Sequence, residues 1–556
     1  MSLARRCYQR VVRFKEFTAV ALVAVVLMSA CSSAKPSPEK TGGYDASPKA
    51  LNIIAGTEQE TVANTIVKPW CQSKGYQCNI TLKGSVDQAR LLAAGNNDYD
   101  AYWFASSVFA QIGDTGGKLQ DTKTMFLTPV VFAGWQSEMQ KLGFAGRTDV
   151  SIGDILTAVE SGKTKVWVTN PTQSNSGATA LFGFMNYFAG NGPGKALTQE
   201  QLDSAPVEDG ITRFIKAMSQ TPPSTGTLMS QCVEQPSECR TMFTYEDLVI
   251  EKNQELVKAG KEPLVVAYPR GSLAISDSPL GFYPHNNGGD AAKKQILSEL
   301  QDYLLKDKAA QTELLKLGRR PATSVGLTLD NPDTAVFNPA WGIQATINEQ
   351  GIQYPSAPVI QAALDRYQTR YRRPVNTYYC LDGSGSMNGN GGWNGVKAAA
   401  HQVFDQDQAA VNFLQSHPKD ITTVTIFNSG VTAGPWTVNG NDANALRGIT
   451  NNINGYNPGG GTDMYTCLKE AGDLLSKPQT DDRKGLVVLM TDGKSETGHR
   501  SEALSALKAA KVPVVAIAFG SEPDASQLKE LASATGGTYV QQNDLVAALR
   551  QAAGYK

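Results

Sequence analysis

At ~150 residues per domain, a chain of 556 residues is too long for one ordinary core, and two to four units are expected. With 41% hydrophobic and 19% charged residues, the composition is that of an ordinary soluble protein. The formal charge of −1 supplies no basic excess to hold phosphates, so nucleic acid is not an expected partner.

The first thirty residues stand apart. Arg5, Arg6, Arg10, Arg13 and Lys15 form a basic stretch, and an apolar run from Phe17 to Ala30 follows. As a helix its 14 residues would rise ~21 Å, short of a ~30 Å hydrocarbon core, which favours a signal peptide over a membrane span. The run ends Leu27-Met28-Ser29-Ala30-Cys31, which resembles the bacterial lipobox, with Met28 where that pattern prefers leucine. The resemblance implies a lipoprotein signal peptide over residues 1–30 and lipidation of Cys31. Plain secretion, with Cys31 a bystander, is the other reading. Ser32 to Lys49 is rich in Ser, Pro, Lys and Gly without apolar periodicity, so residues 31–49 read as a flexible tether. The expected location is the cell membrane or outer membrane, lipid-anchored and facing the periplasm or exterior.

Six further cysteines suit an exported chain. Proximity favours Cys71–Cys78 and Cys232–Cys239, leaving Cys380–Cys467. Six cysteines allow 15 pairings, so this is a preference among them.

Residues 50–373 alternate strands and helices. Leu51 to Ala55 and Asp100 to Phe104 read as strands, ending at Gly56-Thr57-Glu58 and at Ser106-Ser107. Val166 to Val168 leads through Thr169-Asn170-Pro171-Thr172-Gln173-Ser174-Asn175-Ser176-Gly177 into a helix over Ala178 to Phe188. Leu264 to Ala267 and Leu273 to Ile275 are later strands, and Ala291 to Leu305 a surface helix. The order, with Asn170-Pro171-Thr172 through Ser176-Gly177, Phe243-Thr244-Tyr245-Glu246 and Phe337-Asn338-Pro339-Ala340-Trp341-Gly342, resembles the extracellular solute-binding proteins, including oxyanion receptors. That resemblance implies two lobes and a cleft. Ser174, Ser176 and the Gly177 amide at a helix N-terminus would favour a small anion or solute. Thr57, Ser106 and Ser107 would add hydroxyls from the other lobe. Helix capping and turn formation account for the same serines without a ligand.

From Val375 the pattern repeats strand, loop and helix, as in a doubly wound α/β domain over residues 374–556. Val375 to Leu381, Thr422 to Phe427, Leu486 to Met490 and Val512 to Phe519 read as strands, and Lys397 to Leu414 as one helix. The first strand ends in Asp382-Gly383-Ser384-Gly385-Ser386; Gly459-Gly460-Gly461-Thr462-Asp463 forms a glycine-rich loop; another strand ends in Thr491-Asp492-Gly493. Oxygen ligands from three strand ends suit one hard cation. These segments, in this order, resemble the metal-ion-dependent adhesion site of von Willebrand factor type A domains. The resemblance implies Asp382, Ser384, Ser386, Thr462 and Asp492 around Mg²⁺ (or Mn²⁺ or Ca²⁺). It also implies a protein partner that offers a carboxylate to the metal.

The expected function is that of a lipid-anchored extracytoplasmic binding protein, with a solute site in its N-terminal domain. The alternative is a solute receptor of a transport system with an accessory type A domain. An enzyme is not expected. The four histidines, His285, His401, His417 and His499, fall in no nucleophile or zinc motif, and His401 and His417 read as lying on a solvated helix and its end.

Overall fold

The structure, a computed structural model, describes residues 44–553 apart from 97, 324–326, 390, 478–482, 520–524 and 542–544. The expected signal peptide and Cys31 lie outside the described residues. Among the described residues, no helix is long and apolar enough to cross a membrane.

The N-terminal domain holds two sheets. The strands are β1 (Ala50–Ala55), β2 (Gln77–Leu82), β3 (Ala101–Trp103), β4 (Gln120–Thr124), β5 (Phe126–Trp135), β6 (Val166–Trp167), β7 (Met218–Gln220), β8 (Thr241–Tyr245), β9 (Leu264–Ala267), β10 (Ala274–Ser276), β11 (Pro279–Phe282) and β12 (Arg320–Pro321). The first sheet runs β2-β1-β3-β11-β4; the second runs β10-β5-β8-β6-β7, with β9 and β12 also paired to β5. The chain crosses between sheets at Met125 and at Asp277-Ser278, so each sheet is the centre of one lobe. The period of two along β1 serves two cores. Leu51, Ile53 and Ala55 pack with Ile296, Leu297 and Leu300 of the helix Asp290–Lys306, while Ile54 faces the opposite side. The later phrase around Phe337 and Trp341 also belongs to this domain, since both pack into the second lobe's core.

Four helices of this domain matter below: α1 (Ser85–Ala93), α2 (Asn175–Phe188), α3 (Thr225–Glu234) and α4 (Glu246–Lys258). Two ion networks are buried at the hinge. Arg320 bonds both carboxylate oxygens of Glu246, at 2.7 and 2.9 Å. Arg319 lies 3.2 Å from Asp247, pairs with Glu251, and donates to the Glu58 carbonyl at 2.7 Å, so it spans both lobes. Tyr44 to Lys49, read as the end of a tether, is instead docked. The Tyr44 hydroxyl donates to Asp100 at 2.9 Å, and Lys293 bonds the Asp45 carbonyl at 2.8 Å.

The C-terminal domain is one six-stranded sheet in the order β15-β14-β13-β16-β17-β18. Its strands are β13 (Val375–Asp382), β14 (Ile421–Phe427), β15 (Val431–Asn439), β16 (Lys484–Thr491), β17 (Val514–Ala518) and β18 (Thr538–Gln541). All neighbours are parallel except β14 and β15. The central strands are buried on both faces, one packed by α5 (Gly392–Phe404) and the other by α6 (Met464–Leu475). The expected helix Lys397–Leu414 is two helices. Asp405 ends α5 and accepts the amides of Asp407 and Gln408, starting a new turn at Gln406. Val411, which continues the apolar period of that expected helix, is 64% exposed. His417 is buried rather than solvated: its amide donates to Asp420 at 2.8 Å beside the buried Arg372–Asp420 pair. The last helix is α7 (Leu545–Ala553), whose Ala548, Leu549 and Ala552 join the α5-side core.

All three disulfides form in the preferred pairing: Cys71–Cys78, Cys232–Cys239 and Cys380–Cys467.

Candidate metal centre and solute cleft

The strand order of the C-terminal sheet reverses between β13 and β16, and open α/β sheets bind ligands at the carboxyl ends of such a pair. Asp382 ends β13 and Thr491 ends β16. The Thr491 hydroxyl donates to Asp382 Oδ2 at 2.5 Å, and the Ser384 amide donates to Asp382 Oδ1 at 2.9 Å. Ser384 Oγ and Ser386 Oγ are hydrogen-bonded at 3.1 Å, and Ser386 Oγ donates to Asp492 Oδ1 at 2.8 Å. Four of the five expected ligands therefore form one hydrogen-bonded cluster. Thr462 stands on the neighbouring loop, which is tied to the first segment by Gly385 N to the Gly460 carbonyl at 3.1 Å and by Gly459 N to the Gly383 carbonyl at 2.9 Å. The loop is held from behind: the Glu496 amide donates to the Thr462 carbonyl at 2.9 Å, and Asn428 Nδ2 to the Gly459 carbonyl at 2.9 Å. Gly460 has φ +84°, a left-handed conformation that favours glycine.

The donors suit a divalent cation. Asp382 is fully buried and its hydrogen-bond partners are a neutral amide and a neutral hydroxyl. Burial raises its pKa, and nearby Asp492 adds to the rise, while the Thr491 and Ser384 bonds oppose it. Two carboxylates with neutral partners leave negative charge that a hard cation would neutralise, and the three hydroxyls suit Mg²⁺. Among the described residues, no group of three or more His, Cys, Asp or Glu is placed to hold a metal, so hydroxyls carry much of this set. Ser386 is exposed whereas Asp382 and Ser384 are buried, which leaves the centre open on one side. Sequence reasoning missed Thr491, Asn428 and Asp463. The last caps α6 through the Tyr465 amide and bonds His499 at 2.6 Å, which raises the histidine pKa.

Thr57, Ser174 and Ser176 converge from both lobes on Thr225 and Gly226, whereas Ser106 and Ser107 bond elsewhere, and all five hydroxyls are engaged by protein. The Thr57 hydroxyl accepts the Gly226 amide of α3 at 3.1 Å, across the lobes. Ser106 caps the helix that follows β3 through the Val108 amide, and Ser107 donates from both amide and hydroxyl to Asp277. The helix expected from Ala178 begins at Asn175, and Ser174 flanks it without a capping bond. Ser174 and Ser176 are buried against the Thr225 hydroxyl at 3.2 and 2.7 Å, and Ser176 also bonds Thr169 at 3.0 Å. An ideal Cβ on Gly177 would fall 2.0 Å from the Thr169 carbonyl, so this glycine serves close packing. The expected anion cradle meets carboxyls here: Asp277 beside Ser107, and the buried Glu58 beside Thr57. Burial pushes the Glu58 carboxyl up to about 7. Neither Glu58 nor Arg319 carried a sequence signal, because their burial depends on lobe closure.

Geometry defines the class first: a two-lobed α/β domain joined to a doubly wound domain with an oxygen-lined centre at its switch point. Family comparisons agree. Residues 51–313 match the bacterial extracellular solute-binding proteins, and residues 376–553 match the von Willebrand factor type A domain. The chain thus carries an extracellular solute-binding domain followed by a type A domain. No curated protein matches it. Among solved structures, it is similar to an extracellular solute-binding protein from Bordetella parapertussis (12% identity, 57% of this chain and 98% of that one, TM-score 0.38). The periplasmic binding protein AfuA from Actinobacillus pleuropneumoniae, with fructose-6-phosphate bound, is similar at 13% identity (57% and 98%, TM-score 0.40). A von Willebrand factor type A protein from Catenulispora acidiphila is similar at 17% identity (33% and 42%, TM-score 0.27).

Proposed function

We propose that this is an extracytoplasmic binding protein, lipid-anchored through Cys31, that recognises a protein partner through a Mg²⁺ ion held by its type A domain. Asp382, Ser384 and Ser386 hold the ion together with Thr462 and Asp492. One observation carries the reading: two carboxylates at the switch point, linked through hydroxyls and faced by neutral partners. A cation held largely by neutral oxygens stays electrophilic, and it accepts a carboxylate from a partner's Asp or Glu. The solute-binding domain takes a small solute between its lobes. The carboxyls of Glu58 and Asp277 beside the cleft hydroxyls favour a solute rich in donors over the small anion first expected.

Affinity capture on the mature protein tests this. Retention of a protein in Mg²⁺, lost with chelator and lost in Asp382→Ala, is the expected result. Equal retention in all three overturns it. Capture of a permease, insensitive to chelator, would move the conclusion to a transport receptor with an accessory type A domain.

A further inference from the structure

The two lobes meet along an edge near the start of α1. The Val86 amide of the first lobe donates to the Gln173 carbonyl of the second at 3.2 Å, and an ideal Cβ on Gly84 would lie 2.3 Å from that same oxygen. This edge is covered by the other domain. Arg550, on α7 of the type A domain, is buried, with a side chain 1% exposed. Its guanidinium donates to Asp87 of the first lobe, to the Thr172 carbonyl of the second, and to the Asn412 carbonyl of its own domain. Gln173 Nε2 returns a bond to the Arg550 carbonyl at 2.5 Å. Nearby, Arg90 of α1 donates to Asn412 Oδ1 at 3.1 Å, and Phe413 lies under the Arg550 guanidinium and joins the N-terminal core.

We propose that Arg550 is a latch: the last helix of the type A domain holds the two lobes of the solute-binding domain closed, so the cleft opens only when α7 undocks. One planar five-donor group ties both lobes to a third body, which a flexible ammonium could not do with the same fixed geometry. Opening the hinge separates Asp87 from Thr172 and strands a buried guanidinium, so closure and docking are coupled. The coupling is reciprocal: a solute that stabilises the closed lobes also stabilises the docked α7. The significance of the latch rests on the solute-binding reading of the cleft, but its test uses no solute, so the two can fail separately.

The test is hydrogen exchange on the full chain, comparing wild type with Arg550→Ala and with Asp87→Asn. The Val86 amide, beside the latch, and the Gly226 amide, which donates to Thr57, both bond across the lobes. Both variants are expected to raise exchange at both amides, by about tenfold or more in Arg550→Ala, equivalent to ~1.4 kcal/mol of lost closure. Protection across β16 reports that the type A domain remains folded. Should Arg550→Ala lose that protection, Asp87→Asn, which changes no residue of the type A domain, decides. A rise at Val86 alone shows a local seal and overturns the latch, as does unchanged exchange at both amides.

Discussion

Replacing Glu58 with Gln is expected to flatten the pH dependence of stability. Glu58 is 4% exposed, and burial, the largest influence on its carboxyl, lifts the pKa from 4.5 to about 7. Its own backbone amide and Arg319 pull the other way, while Asp247 adds to the rise. A carboxyl whose folded pKa exceeds its unfolded value holds its proton more tightly in the folded chain. Its contribution is therefore fully present below pH 4.5 and is lost as pH rises through 7. The gap, at ~1.4 kcal/mol per pH unit, amounts to ~3 kcal/mol. Gln keeps the shape and carries no charge, so the variant avoids that loss. Thermal unfolding at pH 5 and pH 8.5 provides the assay. Midpoints should nearly coincide at pH 5, and the variant should melt roughly 4–5 °C higher at pH 8.5. If it melts lower by the same margin at both pH values, Glu58 is an ionised partner of Arg319 and the desolvation reasoning fails.

Three further outcomes follow from particular contacts. Asp420 takes both terminal nitrogens of Arg372, at 3.1 and 2.6 Å, and both residues are buried. Asp420→Ala removes the carboxylate that balances this buried charge and should cost ~3–5 kcal/mol in denaturant melts. The Cys380–Cys467 bridge spans 87 residues and ties β13 to α6, so its removal as a double alanine variant should lower stability by ~2–4 kcal/mol, read as a lower denaturant midpoint. A side chain on Gly460 meets both a positive φ and Asn428 Nδ2 at 2.9 Å. Gly460→Ala should therefore displace the Thr462 loop and weaken Mg²⁺ binding about tenfold or more while circular dichroism stays unchanged.

Features fixed by local chemistry were legible in the amino-acid order. Asp382, Ser384 and Ser386 sit at alternate positions where an apolar strand stops, and Asp492 likewise follows an apolar run. The two short disulfides close loops of seven residues, and the third pairing was what remained. Partners set by long-range folding were not legible. Thr491 reads as the last residue of a strand, and only the parallel pairing of β13 with β16 brings its hydroxyl to Asp382. Asp405 interrupts an apolar period that reads as one continuous helix, because a capping side chain outweighs the periodicity at that position. Ser174 and Ser176 lie at a helix start, as read, whereas Ser106 and Ser107, read as a strand end, cap and begin the helix that follows β3. Whether their hydroxyls face a solute or one another depends on lobe closure, and that depends on residues such as Arg550, 377 positions from Gln173. A single buried arginine on a terminal helix has no periodicity or motif to mark it.

The central claim is the metal centre, and calorimetric titration of Mg²⁺ tests it most directly. Wild type should bind one Mg²⁺ per chain, with Asp382→Ala abolishing the heat and Ser386→Ala weakening the binding about tenfold or more. An unchanged Mg²⁺ isotherm in Asp382→Ala would contradict the account.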